Sequence, residues 1–385
     1  MRRCLELALL GAGHTAPNPM VGAVLVHEGR IIGEGYHEIY GKAHAEVNCL
    51  ASVKEEDWPL IPHATIYVSL EPCAHHGKTP PCADLIIEKR IPRVVVGCRD
   101  PFPEVDGKGI EKLLAAGVAV TVGVLEEECK AVNKRFFTYH IRHRPYILLK
   151  WAQSANGKMG AGVDGSRVLI SNAYSNRLVH QWRSQEAAIL VGTNTALADD
   201  PALTVRLWVG PNPIRLVIDR ELRLPETLRL FDGTVRTIVF NTVKDQSGDN
   251  LLYYRLKGEG DSNDNGDING NNDINDEGDL KERGGGLKSG SSLVAQLVKA
   301  LYELKVLSVL VEGGALLLQS FIDEGYWDEA RVITNNELEI PGGLAAPVLK
   351  NVGATAGKPG AMATQGPVTE TLFSDTIRTY YHIYG

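Results

Sequence analysis

Three residues of types that bind transition metals lie far apart in the sequence, and each stands at the boundary of a predicted helix or strand. Cys73 follows the apolar, β-branched segment 64–70, which predicts a buried strand. His44 begins a predicted helix, and Cys82 falls in the first turn of another, directly after a pair of prolines. A strand end and two helix starts must therefore meet if these side chains share one ion.

These ligand types indicate a catalytic zinc site. Zinc binds thiolate and imidazole readily, and a catalytic site keeps three protein ligands so that water takes the fourth position and ionises near pH ~7. Glu46 lies two residues after His44, and both side chains reach one pocket only if the helix points at it end-on. A carboxylate beside the water, but not on the metal, moves protons in hydrolytic deamination. The pattern therefore predicts a zinc-dependent deaminase with Glu46 as the catalytic residue.

Other interpretations of this region stay open. A structural zinc site needs a fourth protein ligand, which His75 or His76 would supply. A cysteine pair often serves only core packing. The loop 74–79 also contains Gly77 and Lys78, and such groups beside a metal suit an anionic substrate; a solvated polar loop is the plainer alternative.

Four segments of the first half, 15–26, 33–37, 41–46 and 71–82, resemble the bifunctional riboflavin-biosynthesis deaminase/reductase family. The long P-C-x8-C spacing with an internal H-G-K-T-P-P distinguishes this family from cytidine and tRNA deaminases, which have P-C-x-x-C. The resemblance implies that zinc is bound by His44, Cys73 and Cys82 and that Glu46 is the proton shuttle. It also implies substrate contacts from Asn18, His37, His76 and Lys78.

The second half of the chain also has the pattern of an α/β domain. Buried strands are predicted at 146–154, 187–191, 214–218, 237–240 and 306–311, and helices at 173–183 and 293–303. Segment 309–319 reads as strand, glycine turn and helix, an arrangement that presents N–H groups to a phosphate. A lone turn of this kind is as often structural.

Segments 150–158, 192–206 and 311–314 resemble the reductase domain of the same family, which is similar in fold to dihydrofolate reductase. The resemblance implies an NADPH site formed by Ala152, Val168, Thr195, Asp199 and Gly314. On the substrate side it implies Lys150, Ser166, Arg183, Leu203, Arg206 and Glu312. Arginines bind phosphate through paired hydrogen bonds, although Arg183 and Arg206 also fit as plain surface residues. Two positions depart from the family pattern, with Asn156 in place of Asp and Val168 in place of Trp.

A chain of 385 residues is long enough for two domains. We predict a cytidine-deaminase-like three-layer α/β/α domain over 1–143 and a dihydrofolate-reductase-like α/β domain over 144–385. In the first domain, strands are expected at 21–26, 30–34, 93–98 and 118–122, and helices at 109–116 and 126–137. Asp, Asn, Gly and Ser crowd the segment 245–290, which predicts a disordered insertion. A calcium loop beginning at Asp261 is the alternative, but Asn272 stands where a bidentate Glu is required.

Composition and charge restrict the partners. The net charge of -7 disfavours nucleic acid, and no apolar run approaches membrane-spanning length. Six scattered cysteines favour a reducing compartment, so we expect a cytoplasmic protein. The resemblance implies a small phosphorylated pyrimidine as its partner, and we expect a homo-oligomer. The resemblance implies deamination of 2,5-diamino-6-(5-phosphoribosylamino)pyrimidin-4-one and then reduction of the ribosyl group to ribityl with NADPH. A nucleic-acid base deaminase and a non-catalytic zinc module are the alternatives.

Overall fold

The computed structural model describes residues 1–74, 80–160, 168–258, 291–353 and 363–383. Its α-helices are α1 Arg2–Leu9, α2 Ala45–Ala51, α3 Cys82–Glu88, α4 Lys108–Ala115, α5 Glu126–Val132, α6 Lys134–Arg142, α7 Ala173–Gln185, α8 Thr193–Asp199, α9 Leu293–Glu303 and α10 Ala315–Asp323, with 3₁₀ helices at Glu55–His63 and Arg229–Phe231. No helix in this part of the chain is both long enough and apolar enough to cross a membrane.

The strands form one large sheet in each half of the chain, and two short strands of the second half pair in a separate two-stranded sheet. The first half contributes β1 Gly22–His27, β2 Arg30–Tyr36, β3 Thr65–Leu70, β4 Arg93–Cys98 and β5 Ala119–Val122. The second half contributes β6 Tyr146–Ser154, β7 Lys158–Met159, β8 Ala188–Gly192, β9 Ile214–Ile218, β10 Thr237–Asn241, β11 Gln246–Ser247, β12 Leu251–Arg255, β13 Ser308–Gly313, β14 Glu329–Asn335, β15 Leu344–Ala345, β16 Ala363–Leu372 and β17 Asp375–Ile383.

The first sheet has the strand order β2-β1-β3-β4-β5 and helices on both faces. Strand β1 is antiparallel to β2 and β3, whereas β3, β4 and β5 are parallel. Side chains alternate between the faces, as a strand requires: Val24 packs in the cluster with α1, and Ala23 and Leu25 pack with α2 and α3. The predicted three-layer α/β/α architecture is therefore confirmed.

One predicted helix of this half is wrong. The segment 126–137 is expected as a single helix, but α5 ends at Val132 and α6 begins at Lys134. The backbone at Asn133 departs from helical geometry, with φ -102° and ψ 22°. Its side chain is bound to a distant segment, since Oδ1 accepts a hydrogen bond from Met20 N–H and Nδ2 donates to Met20 O, both at 2.8 Å. A contact over this sequence distance has no local sequence signal.

The second sheet has the order β11-β12-β10-β9-β8-β13-β6-β14-β17-β16. The seven strands from β12 through β14 in this order, which are β12, β10, β9, β8, β13, β6 and β14, are parallel. Strand β11 is antiparallel to β12, and β17 is antiparallel to both β14 and β16. Its central strands are apolar on both faces, since α9 and α10 cover one face and α7 and α8 lie over the other. This is the α/β domain expected for the second half.

The predicted insertion at 245–290 is wrong at its N-terminal end. Leu251–Arg255 forms β12, which pairs with β10, and its residues Leu252 and Tyr254 pack against the core. Leu251 and Tyr253 pack against the cluster on the other face, so apolar side chains on both faces hold this strand within a polar segment. Residues 259–290, including the candidate calcium loop at Asp261, lie outside the described residues. On either side of them, Lys257 and Ser291 both bond to Gln296 of α9.

A buried carboxylate, that of Glu71, joins the end of β3 to the start of α4. Its two oxygens accept four backbone N–H groups at 3.0 to 3.3 Å, from Asp100, Gly107, Gly109 and Ile110. Gly109 approaches so closely that a Cβ there would lie 1.9 Å from Pro72 O. Since Cys73 follows next, this network fixes the point at which the chain leaves the sheet towards Cys73.

We expect Glu71→Gln to destabilise the first domain. The amide replaces one acceptor oxygen by an NH₂ group that faces backbone donors, and a buried unsatisfied polar group costs about 1–3 kcal/mol. The midpoint of thermal unfolding should therefore fall by roughly 5 °C, measured by circular dichroism. Glu88→Gln, at a side chain that is 71% exposed, is the matched control and should leave the midpoint unchanged. Equal midpoints for both variants would contradict this role for Glu71.

Candidate functional site

The structure brings the three predicted metal ligands together. His44 is the N-cap residue of α2, Cys82 begins α3, and Cys73 lies just beyond β3. The Nδ1 atom of His44 lies 3.6 Å from Cys73 Sγ and 3.4 Å from Cys82 Sγ, and the three ligand atoms all lie within 4.8 Å of one another. A tetrahedral zinc ion with bonds of roughly 2.0–2.3 Å to nitrogen and sulfur fits between atoms at these separations.

Hydrogen bonding prepares Cys73 as an anionic ligand. The Cys82 thiol donates to Cys73 Sγ, and the backbone N–H of Cys82 does so at 3.3 Å. These bonds, together with that to His44, lower the pKa of Cys73 despite its burial. The start of α3 therefore contributes both a ligand and a donor that favours the thiolate of its neighbour.

Glu46 lies in the first turn of α2, beside the ligands but not among the clustered atoms. It is only 3% exposed, and burial, reinforced by the negative charge of Cys73, raises its pKa to about 7. A divalent cation held by the neighbouring ligands favours the carboxylate and lowers this pKa. The end-on helix required for His44 and Glu46 to reach one pocket is thus present.

Two predicted substrate residues, Asn18 and His37, stand next to this cluster. The rings of His37 and His44 lie 5.4 Å apart, and Asn18 Nδ2 is 3.2 Å from His37 Nε2. His37 Nδ1 lies 3.0 Å from the carbonyl of Ala43, so Nδ1 carries the proton and Nε2 accepts from Asn18. Burial lowers the pKa of His37 and favours this neutral form. His76 and Lys78 lie outside the described residues.

A second cluster unites three predicted residues in the other half of the chain. Arg183 Nε and Nη2 donate to the two carboxylate oxygens of Glu312, each at 2.7 Å. Burial alone would favour the neutral acid, but the charge of Arg183 and, more weakly, that of Lys150 bring the pKa of Glu312 down to about 2. Arg183 is 13% exposed, so its interpretation as a surface arginine is wrong.

Residue His180, which sequence reasoning missed, extends this cluster. Its Nδ1 accepts a hydrogen bond from the backbone N–H of Arg206 at 3.0 Å. Burial, with the charges of Arg183 and Arg206, lowers its pKa to about 4 and keeps it neutral. The signal available in the sequence is the spacing of three between His180 and Arg183, which places both on one face of α7. Arg206 itself is exposed, and Leu203 is buried close to it in the chain.

Three of the predicted cofactor residues, Thr195, Asp199 and Gly314, lie where two neighbouring parallel strands end. Helix α8 follows β8 and helix α10 follows β13, so both helices begin at the same edge of the sheet. Gly313 has φ 145°, and a Cβ at Gly314 would lie 3.1 Å from Thr195 Oγ1, so the turn needs glycine. Asp199 lies one turn after Thr195 on α8. Glycine turns before helices present N–H groups to phosphates.

The remaining predicted residues are more scattered. Ala152 on β6 packs against a cluster that contains Val179 and Trp182 of α7. Val168 is half-buried, and Ser166 lies outside the described residues. The departure at Asn156 has a structural reason, because its amide both donates to Ile340 O and accepts from Ile340 N–H at 3.2 Å. An ionised Asp cannot make the first of these bonds.

Both halves match models of known families. Residues 1–98 match the cytidine and deoxycytidylate deaminase zinc-binding region, and residues 145–336 match the RibD C-terminal domain. The riboflavin biosynthesis protein RibD of Aquifex aeolicus is 41% identical over 329 residues, which cover 85% of this chain and 83% of that protein. The RibD protein of Bacillus amyloliquefaciens is 36% identical over 333 residues, which cover 86% and 81%.

Two solved structures are similar to this chain over almost its whole length. The crystal structure of a diaminohydroxyphosphoribosylaminopyrimidine deaminase/5-amino-6-(5-phosphoribosylamino)uracil reductase from Thermotoga maritima has a TM-score of 0.77 and 34% identity, covering 100% of this chain and 97% of that one. Acinetobacter baumannii RibD has a TM-score of 0.78 and 27% identity, covering 99% and 97%. The chain therefore belongs to the riboflavin biosynthesis protein RibD family and is a bifunctional enzyme with a zinc-dependent deaminase domain and an NADPH-dependent reductase domain.

Proposed function

We propose that this enzyme deaminates 2,5-diamino-6-(5-phosphoribosylamino)pyrimidin-4-one and then reduces the resulting 5-amino-6-(5-phosphoribosylamino)uracil to the ribityl compound. The observation that carries the first step is the convergence of His44, Cys73 and Cys82 beside a buried Glu46. The Thermotoga maritima protein is named for both activities, and this chain covers 97% of it. The domains are proposed to span 1–143 and 144–385.

In the deaminase site, His44, Cys73 and Cys82 hold the metal and Glu46 transfers protons. Bound zinc supplies the chemistry that ionises water near neutral pH. Glu46 would take a proton from the attacking water and deliver it to the departing amine, a task that suits a buried carboxylate beside the ligands but not among them. Because its carboxylate is buried, bulk water does not compete for that proton.

Asn18 and His37 orient the pyrimidine in this proposal. The Asn18 amide uses one of its hydrogens for His37 Nε2, and His37 is held in turn by the Ala43 carbonyl. This chain of hydrogen bonds fixes the plane of the amide that contacts the ring. His76 and Lys78 are proposed, from the family resemblance, to bind the ribose phosphate.

In the reductase site, NADPH supplies a hydride to the opened ribosyl group. Thr195, Asp199 and Gly314, with Ala152 and Val168, are proposed to hold the cofactor, and the space that a Cβ at Gly314 would fill beside Thr195 supports this. The substrate is proposed to contact Lys150, Ser166, Arg183, Leu203, Arg206 and Glu312. Glu312 is fixed by Arg183, and the exposed Arg206 is proposed to contact the phosphate of the substrate.

The proposal includes a cytoplasmic homo-oligomer. All six cysteines are free thiols, and a disulfide between Cys73 and Cys82 would remove two ligands, so the enzyme needs a reducing compartment. Tyr174 and Phe373 stack on each other while 59% and 72% exposed, which suits a contact between copies of the chain. A mass of 41.9 kDa by light scattering, that of one chain, would contradict the oligomer.

We expect Glu46→Gln to stop deamination while zinc stays bound. The amide is nearly isosteric with the carboxylate but cannot carry a proton, and general acid–base groups contribute roughly 10²–10⁴-fold to rate. Ammonia release and zinc content are measured on the same preparation. Ammonia release within a few-fold of wild type, with zinc present, would show that Glu46 is not the shuttle.

Variants at the two sites should separate the two activities. Cys82→Ala removes a metal ligand, so ammonia release should be lost while NADPH oxidation with the deaminated substrate persists. Arg206→Ala removes a phosphate partner and should raise the KM of the reductase roughly ten-fold without changing ammonia release, since a charged hydrogen bond contributes about 1.5–3 kcal/mol. Arg223→Ala, at another exposed arginine, is the matched control. Loss of both activities in folded Cys82→Ala would contradict two independent sites.

A further inference from the structure

The loop that carries Asn18 is held by a residue outside its own sheet. Asn133, between α5 and α6, makes two hydrogen bonds of 2.8 Å with the backbone of Met20, two residues beyond Asn18. Asn133 is 3% exposed, so water does not readily replace these bonds. The position of Asn18 against His37 therefore depends on where Asn133 is held.

The two residues that follow Asn133 are clamped by the reductase domain. Arg135 makes two hydrogen bonds with the carboxylate of Glu186, one of them between Nε and Oε2 at 2.8 Å. Lys134 Nζ lies 2.5 Å from Glu329 Oε2. The side chains of Glu186 and Glu329 are 0% and 1% exposed. Removing one partner of such a buried pair leaves an uncompensated charge and is costly, so these pairs hold the start of α6 firmly.

A cavity separates one face of the Asn18 loop from the reductase domain. A cavity of about 410 Å³ lies between the domains, lined by Thr15 and Asn18 from the loop and by Ala187 and Ser308 from the reductase domain. The cavity leaves this face of the loop without the close packing that is typical of protein interiors. At its start, Gly13 meets the reductase backbone directly, since a Cβ there would lie 2.4 Å from Ser184 O.

We propose that Asn133 is a positioning residue of the deaminase site, through which the reductase domain holds the substrate loop in place. Arg135 and Lys134 fix Asn133 on Glu186 and Glu329, and Asn133 fixes Met20 and with it Asn18. The inference rests on the proposed contact between Asn18 and the pyrimidine. It assigns to the reductase domain a role in substrate affinity at the deaminase site, separate from zinc binding and from proton transfer.

The test uses full-length variants and measures zinc content, NADPH oxidation, and kcat and KM for ammonia release. Asn133→Ala should raise the deaminase KM roughly ten-fold, and Glu186→Gln roughly three-fold, with kcat within about two-fold of wild type, because losing ground-state and transition-state binding equally raises KM alone. Tyr302→Phe is the matched control. It removes a hydroxyl 3.0 Å from His143, just after α6, at a contact between the same two domains that does not border the cavity.

A double variant tests the route through Asn133. Adding Glu186→Gln to Asn133→Ala should raise KM no further, whereas multiplied effects would overturn the inference, because they show that the two contacts act independently. An unchanged KM in both single variants, or an equal rise in Tyr302→Phe, would also overturn it. Asn18→Ala separates the two proposals: if this variant keeps its KM, the role of Asn18 fails; if only this variant changes, the role of Asn133 fails. Should Asn133→Ala lose zinc, Asn133→Asp, which keeps the acceptor for Met20 N–H, decides in its place.

Discussion

Both sites depend on the same constraint, which is that parallel strands end and helices begin at one edge of a sheet. Backbone N–H groups at a helix start have no partner within the helix and therefore favour thiolates, carboxylates and phosphates. In the first domain this edge supplies Cys73 and Cys82, together with the four donors that hold Glu71. In the second it supplies Glu312 at the end of β13 and Thr195 at the start of α8. Two unrelated chemistries thus use the same property of the backbone.

Much of this arrangement follows from the sequence, because local patterns determine it. Buried parallel strands are continuous apolar runs, and β3, β4 and β13 lie close to where those runs predict them. Imidazole and thiolate ligands come from few residue types, so the residue types and their spacing alone predict that these side chains converge. The partners of Glu71 could not be predicted in this way, since its four donors come from backbone that any residue provides. The break at Asn133 and the strand at Leu251–Arg255 escape prediction for a related reason, because each depends on contacts with distant parts of the chain.

The domain interface lies at the opposite end of the reductase strands from the reductase cleft. Glu186 precedes β8 and Ser308 begins β13, and both border the interdomain cavity. Glu312 and Gly314 lie four and six residues after Ser308, at the other end of β13, and hence roughly 13 and 20 Å away. The interdomain cavity and the cluster at Glu312 therefore lie at opposite ends of these strands.

The C-terminal end of α7 nevertheless carries one contact to the reductase cleft and one to the domain interface. Arg183, which binds Glu312, is one turn from Glu186, which binds Arg135 at the interface. A helix that ends in two buried ion pairs has little freedom to shift, and a ligand moves an equilibrium only if it binds two arrangements differently. These two buried ion pairs favour a single arrangement, since moving either carboxylate would leave an arginine unpaired in the interior. The reductase domain accordingly acts on the deaminase loop as a fixed support rather than as a switch.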